Sequence, residues 1–527
     1  MKHYNIIIIG AGIAGLYTGY TLQKTHPSIA IIEKNNRVGG RIYTYYDKKK
    51  NIHVEGGAGR INVNHRLFNQ LLNDLSLNNK RVNISSDTNY IDKQGNDLTK
   101  EKTEIMSKLY SFISSYDIEK HKKQLNNCYL NEFLHKQFGK TYAKKLEEMF
   151  EYKSLMYKLN CYECFKILKK DYYKNNKYFI LKNGLSEVPE ALKKLFKGKL
   201  YLNTVISDIK HSGDQYILDN KFTCDILICA LPKDSLVKFT LLKPFKSLLN
   251  SINEIPLTRI YEQYDKKEHN QLLHCKKTIT NNKVQFIIPI NDTIIMSSYS
   301  DLKNATYWRD IQMHKSLTKE LHKELSHIFN STIPDSKWIK LFYWKNGVGS
   351  WKKKVDTQMV SEKIINLLPN FYICGENYSL YQAWCEGALI TSEKVIHLIK
   401  KHNLKSSSIK HKEQPTTSKS RNTKPKIIKK TKKTKTKRIK RKKSQKYYTM
   451  DEIKKHNKRT DAWILLNKKV YNVTSWIDKH PGGDIILKWI GRDGTKQFNN
   501  IHPAYVKEKI LPKYLIGKLK NKTKKNR

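Results

Sequence analysis

Gly10, Gly12 and Gly15 form a Gly-x-Gly-x-x-Gly run directly after the apolar stretch Asn5–Ile9, and Leu16–Lys24 then reads as a helix. A second apolar stretch follows at 29–32 and ends in Glu33. Strand, glycine turn, helix and acid-terminated strand together predict a dinucleotide site. Gly10 permits the tight turn, Gly12 lets a pyrophosphate approach the backbone, and Gly15 lets the helix pack on the strand. The helix N-terminus offers unpaired N–H groups and partial positive charge to the phosphates. Glu33 can accept from both ribose hydroxyls, which favours a nucleotide without a 2′-phosphate. At the other end of the chain, His480 heads the run His480-Pro481-Gly482-Gly483, and His502 follows 22 residues later.

These groups need more than one domain to position them. At 527 residues, 39% of them hydrophobic, the chain supports two or three cores. Periodic apolar segments fill residues 1–400. Residues 401–446 are rich in Lys, Ser, Thr and Pro and carry 20 Lys/Arg against one Glu. Such a segment buries too little surface to offset its ordering entropy and is expected to be a disordered tether. Apolar runs resume over 447–519, with Trp463, Val470, Tyr471, Val473, Trp476 and Ile477, and a basic tail occupies 520–527. The formal net charge is +53, a balance that suits a polyanionic partner and that AT-rich codon usage also promotes. The eight cysteines form no disulfide-like framework, and Cys161-Tyr-Glu-Cys164 has redox-motif spacing without a second pair to complete a zinc site. No secretory leader and no spanning segment are expected, so the reading is a soluble, intracellular, cytoplasmic protein with reduced thiols.

Arg37-Val-Gly39-Gly40-Arg41 follows the acidic strand end. This Arg-x-Gly-Gly-Arg run resembles the flavin-containing amine oxidase family, in which the nucleotide is FAD. The resemblance continues through Val54-Glu55-Gly56-Gly57-Ala58-Gly59-Arg60, Gly184-Leu185, Val205 within 203–209, Cys224–Pro232, Cys374-Gly375-Glu376 and Trp384-Cys385-Glu386-Gly387-Ala388. It implies an α/β Rossmann-type FAD-binding domain (about 1–75, 179–240 and 344–400) with an interleaved α+β substrate domain (about 76–178 and 241–343). Arg41 would neutralise the pyrophosphate and Glu376 would hold the ribityl chain. The helix starting near Glu386 would aim its N-terminus at the flavin. Gly57, Val205, Gly375 and Ala388 would line the cofactor. Ser350 stands where monoamine oxidases carry their flavin-linking cysteine, so FAD is expected to be non-covalent.

The family removes a hydride from the carbon bearing a neutral amine and leaves an imine. On the substrate side, Trp384 and Trp351 are candidates for the facing aromatic walls, with core packing as the alternative for each. Arg60 lies in a segment that resembles the L-amino acid oxidase version of the motif. It would pair with a substrate carboxylate or else act structurally beside the pyrophosphate. Arg259 occupies the slot where many members place a lysine near flavin N5. A guanidinium does not readily lose its proton, which favours an acceptor other than oxygen.

At the C-terminus, Tyr448, Glu452, Trp463-Ile464, Val470-Tyr471, Val473-Thr474, the His480 run, Gly491, Asp493, Phe498, His502 and Gly517 resemble the cytochrome b5 pattern in order. The resemblance implies a small α+β domain holding haem b, with His480 and His502 as axial ligands.

The combination predicts an FAD-dependent oxidoreductase that converts an amine or amino acid to an imine by hydride transfer, with electrons relayed to the haem. One alternative is a hydrogen-peroxide-producing oxidase whose haem domain is used independently. Another is a basic scaffold or packaging protein with a vestigial flavin fold. Partners are the small-molecule substrate and oxygen or another electron acceptor. Lys429–Lys443 holds eleven Lys/Arg in fifteen residues without aromatic interleaving, which fits a solvated tether, non-specific polyanion binding or nuclear targeting. A flexible tether of 46 residues would hold two domains at a millimolar effective concentration.

Overall fold

A computed structural model describes residues 1–85, 87–172, 177–265, 271–410, 446–480, 483–501 and 511–520. The chain divides into two compact units, Met1–Thr416 and Thr417–Arg527.

The first unit is organised by the strand Lys2–Ile9, whose residues Ile6, Ile7 and Ile8 are fully buried. It pairs in parallel with Ile29–Ile32 on one side and Phe222–Cys229 on the other. Lys199–Tyr201 extends the sheet beyond Ile29–Ile32, while Phe371–Ile373 and the antiparallel Gln215–Leu218 share the edge of Phe222–Cys229. Side chains alternate across a strand. Accordingly Ile7, Ile9, Ala30 and Ile32 enter one core, and Ile6, Ile8, Ile29 and Ile31 enter the other. The continuous apolar run is thus explained by a sheet covered on both faces. Helices Ile13–Leu22, Glu187–Leu195 and Cys385–Lys410 cover the second face through Leu16, Leu192, Leu389 and Ile396.

A second sheet has the order Trp338–Trp351, Ile252–Gln263, Ile294–Asp301, Phe286–Pro289, Lys277–Ile279 and Thr88–Tyr90. The strand Trp338–Trp351 runs unbroken through the boundary expected between 343 and 344. Helices Thr99–Ser115, Leu130–Phe138, Lys140–Met149 and Cys161–Ile167 pack beside this sheet. Cys161 and Cys164 lie buried and free on the last of these.

One expectation is corrected at the end of this unit. The helix Cys385–Lys410 continues through the first ten residues of the segment expected to be disordered. Extending a formed helix costs far less than nucleating one, and Leu404 and the lysines are good helix formers. Residues 411–445, including the densest basic run, lie outside the described residues.

The second unit is a five-stranded sheet ordered Tyr447–Tyr448, Leu515–Leu519, Lys469–Asn472, Asp461–Leu466 and Asn457–Lys458. Helix Met450–Lys455 opens it with a reciprocal cap between Thr449 and Glu452. Its core contains Ile464, Leu466, Tyr471, Val473, Ile477, Ile490 and Phe498. Among the described residues no helix is long and apolar enough to cross a membrane.

Candidate active site and cofactor sites

A single cavity of about 1850 Å³ runs along the C-terminal edge of the parallel sheet and into the second sheet. Its first portion is the glycine turn. Gly10 has φ +105°, and a Cβ there would meet the carbonyl oxygen of Ala230 at 2.6 Å. A Cβ on Gly15 would lie 1.9 Å from the Gly10 carbonyl oxygen, so helix and turn touch there. A Cβ on Gly12 would meet nothing within 4 Å, because Gly12 faces the cavity. The three glycines therefore have the separate roles that a dinucleotide turn requires. Glu33, 6% exposed, lines the same portion. One of its oxygens accepts from Ala11 N (2.8 Å), and the other from Asn35 N (3.0 Å) and Asn35 Nδ2 (2.6 Å). The oxygen bonded to Ala11 keeps a lone pair for a ribose hydroxyl, while the other already accepts two bonds. Val205 stands at the rim, 63% exposed.

Arg37 holds its own turn together. Its guanidinium donates to the carbonyls of Val38 (3.1 Å) and Gly40 (2.9 Å) and lies over the Tyr43 ring. Gly39 N donates to Ala11 O (2.8 Å), locking the two glycine turns side by side. Arg41 donates to Glu376 (2.8 Å) and to Gly347 O (3.0 Å). Glu376 also accepts from Gly349 N and Ala383 N, each at 2.8 Å. The expected pyrophosphate and ribityl contacts thus start from a residue pair already bonded to each other. Gly40, Gly57, Gly375 and Ala388 line the same wall.

Glu386 lies in the first turn of the helix Cys385–Lys410. Its carboxylate caps the neighbouring helix Arg66–Asp74 by accepting from Leu67 N (2.9 Å) and Phe68 N (2.8 Å). The helix it begins still opens on the cavity through Trp384, Cys385 and Ala388.

The far portion of the cavity is walled by aromatic rings. Trp384 stacks on Tyr178 with centroids 6.0 Å apart and planes 12° apart. His65 meets the Trp384 ring edge-on at 4.8 Å and shares a hydrogen bond with the Tyr381 hydroxyl (3.1 Å). Burial, aided by the Lys170 charge, pushes the His65 imidazole down to about 3, so it is neutral. Arg60 lies over Tyr178 at 4.4 Å and donates to the Tyr152 hydroxyl (3.0 Å).

Trp351 does not join this wall. Its indole is 1% exposed, packs against Tyr378 and donates to Ser379 O (3.1 Å), away from the cavity lining. Trp344 lines the cavity instead and donates to Gly56 O (2.6 Å). The strand's pairing shifts register between the two tryptophans: Trp344 stands opposite Leu257, which lines the cavity, and Trp351 opposite Ile252, which lies in the core.

Arg259 lies beneath the Gly57–Arg60 turn, where its Nη1 donates to Glu55 O (3.0 Å). Its guanidinium sits over Tyr299 at 4.9 Å. Burial pushes the Glu55 carboxyl up to about 7, against hydrogen bonds from Leu185 N and Thr44 and the charge of Arg259. Between about 4.5 and about 7 the folded chain holds a proton that the unfolded chain has released. Stability contributed by the neutral carboxyl is therefore lost as pH rises across that window and stays lost above it. Glu55→Gln is expected to match the parent in melting temperature at the acid end of the window. Its advantage should grow towards neutrality and then hold constant. Thermal melts of both proteins across that range check this, and a difference independent of pH would contradict it.

In the second unit His480 follows directly on the helical turn Thr474–Lys479, with its N–H donating to Ile477 O (3.1 Å). It is half-buried, three residues beyond the buried Ile477. A half-buried imidazole at this place in the chain fits an axial ligand to a porphyrin iron. His502 lies outside the described residues.

A family model for flavin-containing amine oxidoreductases matches residues 13–395. The chain belongs to this family. A model for cytochrome b5-like haem/steroid-binding domains matches residues 449–520. The protein is therefore a flavin amine oxidase-like oxidoreductase with a haem-binding b5 domain, and its cofactors are FAD and haem. A putrescine oxidase solved with putrescine bound superposes with a TM-score of 0.60 at 13% identity, covering 76% of this chain and 99% of that one. At that identity the likeness shows the fold alone.

Two relatives by sequence match short stretches of 74 residues, so the chain spans only part of their length. An acyl-lipid (8-3)-desaturase of Physcomitrium patens is 47% identical over 74 residues, 14% of this chain and 15% of its own length. A cytochrome b5 of Candida tropicalis is 43% identical over 74 residues, 14% of this chain and 57% of its own length. The Rossmann-type α/β flavin region, its second sheet and the small α+β b5 domain agree with the fold class read from sequence.

Gly10, Gly12, Gly39, Gly40, Gly57 and Gly375 line one cavity with Glu33, Arg37, Arg41 and Glu376, joined there by Arg60, Arg259 and Trp384, while Gly15 packs behind the turn. Sequence reasoning missed Glu151, Tyr152, Tyr178, Lys277, Phe286 and Tyr299, all on the cavity wall. None sits in a local motif.

Proposed function

We propose that the protein oxidises an amine or amino acid to its imine and that the electrons are relayed to the C-terminal haem. The observation that carries the reading is continuity. One cavity leads from the dinucleotide turn, past Gly57 and Trp384, to the Arg60 guanidinium. Bound FAD supplies the acceptor for the hydride leaving the carbon that bears the nitrogen. Ser350 on the cavity wall offers no thiolate for attachment. The nearby Cys385 thiol is pushed up to about 12 by burial and stays protonated, so FAD is held without a covalent link.

The chain's residues then position the substrate. Trp344, Tyr178 and Trp384 supply flat walls for the substrate chain. Arg60, backed by the Tyr178 ring and the Tyr152 hydroxyl, presents a planar donor pair suited to a carboxylate. Water hydrolyses the released imine to a carbonyl compound and ammonia. Arg259 supports an acceptor other than oxygen, because its buried guanidinium stays charged and donates to Glu55 O.

The test is an anaerobic absorption spectrum of the full-length protein before and after addition of pooled amines and amino acids. Bleaching of the flavin followed by reduced-haem bands, at a rate independent of protein concentration, is expected. Bleaching with the haem still oxidised would replace the relay with a separately used haem domain. An unchanged spectrum with both cofactors present would overturn the substrate class.

A further inference from the structure

The wall of aromatic rings beyond Trp384 leads to a cluster of charges. From Trp384 the contacts run through Tyr178 to Arg60 and on to the Tyr152 hydroxyl. Tyr152 packs on Phe286 with centroids 5.1 Å apart, and the Lys277 ammonium lies 5.5 Å from the Phe286 ring centre. Lys277 is the first residue of the strand Lys277–Ile279, held between Thr88–Tyr90 and Phe286–Pro289. Its ammonium therefore sits at the end of the ring path away from the glycine turn, and it lines the same cavity.

Glu151 also lines this end, and three cations face it: Lys102, Lys277 and Arg60. Lys102 is the ion-pair partner, with Nζ 3.6 Å from the carboxylate and only 10% of its side chain exposed. Burial alone would push the Glu151 carboxyl up, yet Lys102, then Lys277 and Arg60, hold it below the ordinary range. One carboxylate is thus met by more positive charge than it can neutralise. Burial also lowers Lys277, to about 8, against the pull of Glu151, so its charged form is costly there. A half-buried, incompletely compensated ammonium on a cavity wall is stabilised by an anion.

We infer that Lys277 is a specificity-determining residue that binds an anionic group, a carboxylate, at the end of the substrate remote from the reacting carbon. The inference rests on the reading of the cavity as an amine-oxidising site and narrows its substrate class. The substrate is an amine or amino acid whose far end is negative, and a diamine, positive at both ends, is disfavoured. The aromatic stretch between Trp384 and Phe286 accommodates the carbon chain that separates the two ends.

Binding of unreactive compounds to the FAD- and haem-loaded full chain tests this without turnover. Glutarate, butyrate and 1,5-diaminopentane are each titrated while the bound flavin spectrum and the heat of binding are followed. The carboxylates are expected to bind, and the diamine to bind about tenfold more weakly or worse. Lys277→Met should weaken both carboxylates by about tenfold or more, and Lys277→Arg should restore most of the affinity. Flavin content and melting temperature of each variant report whether the fold is kept. If Lys277→Met does not retain FAD, the comparison of Lys277→Arg with Lys277→Gln replaces it. Equal carboxylate affinity in parent and charge-removed variant, no carboxylate binding in the parent, or preference for the diamine would each overturn the inference. Failure to find an oxidised amine would instead count against the proposed reaction, because these titrations do not depend on it.

Discussion

Gly12→Val is expected to give a folded protein that cannot hold FAD. Gly12 has φ −71° and ψ 177°, extended backbone that any residue adopts, so the substitution strains nothing in the chain. Its new side chain projects into space with no protein atom within 4 Å of the Cβ. That space is where the pyrophosphate must meet the first turn of helix Ile13–Leu22. Losing two charge-assisted hydrogen bonds at about 1.5–3 kcal/mol each weakens binding by about a hundredfold or more. The measurement is the flavin-to-haem absorbance ratio of the purified chain, in which the C-terminal haem counts the protein. That ratio should collapse while the haem band and circular dichroism match the parent.

Gly15→Val supplies the contrast. There the Cβ would fall 1.9 Å from the Gly10 carbonyl oxygen, so the helix must move off the strand. Both flavin content and melting temperature should drop, the latter by an amount matching about 1–3 kcal/mol of overpacking or more. A Gly12→Val protein with a full flavin complement would place the pyrophosphate elsewhere.

These glycines were legible in the sequence because their requirement is local. A turn that reverses within a few residues, and a helix that rests on it, dictate residue type position by position. The alternating burial of Ile6–Ile9 on two faces follows from strand geometry in the same way. The chamber beyond Trp384 obeys no such rule. Tyr152, Tyr178, Lys277 and Phe286 come from four separate segments that meet only when Thr88–Tyr90 pairs with Lys277–Ile279 and the helices close over that sheet. Each is unremarkable in its own stretch of chain. Trp351 misled for the opposite reason: its neighbourhood carries a glycine-rich pattern, but the irregular strand there sets its indole in the core while Trp344 takes the cavity side. The helix past Lys400 was hidden by composition, since the same lysines that suit a solvated tether also propagate a helix already begun.

His480→Ala should abolish substrate-dependent reduction of haem while leaving substrate-dependent bleaching of flavin within about twofold of the parent, a change worth well under 1 kcal/mol. The reason is the separation of the two sites in the chain. Among the described residues the flavin cavity is lined from the first unit, and the core around Ile464, Tyr471, Val473 and Ile477 belongs to the second. On the proposed ligation the loss of His480 takes an axial imidazole from the iron. The expected spectrum loses its six-coordinate haem bands, by loss of haem or by change of ligation, and the first unit's melting transition stays put. His502→Ala should give the same spectrum if the two histidines share one iron. Persistence of normal haem reduction in either variant would remove that histidine from the electron path. Loss of flavin bleaching in His480→Ala would show instead that oxidation in the first unit depends on an intact b5 domain, and the relay would have to be replaced by a structural coupling between the two.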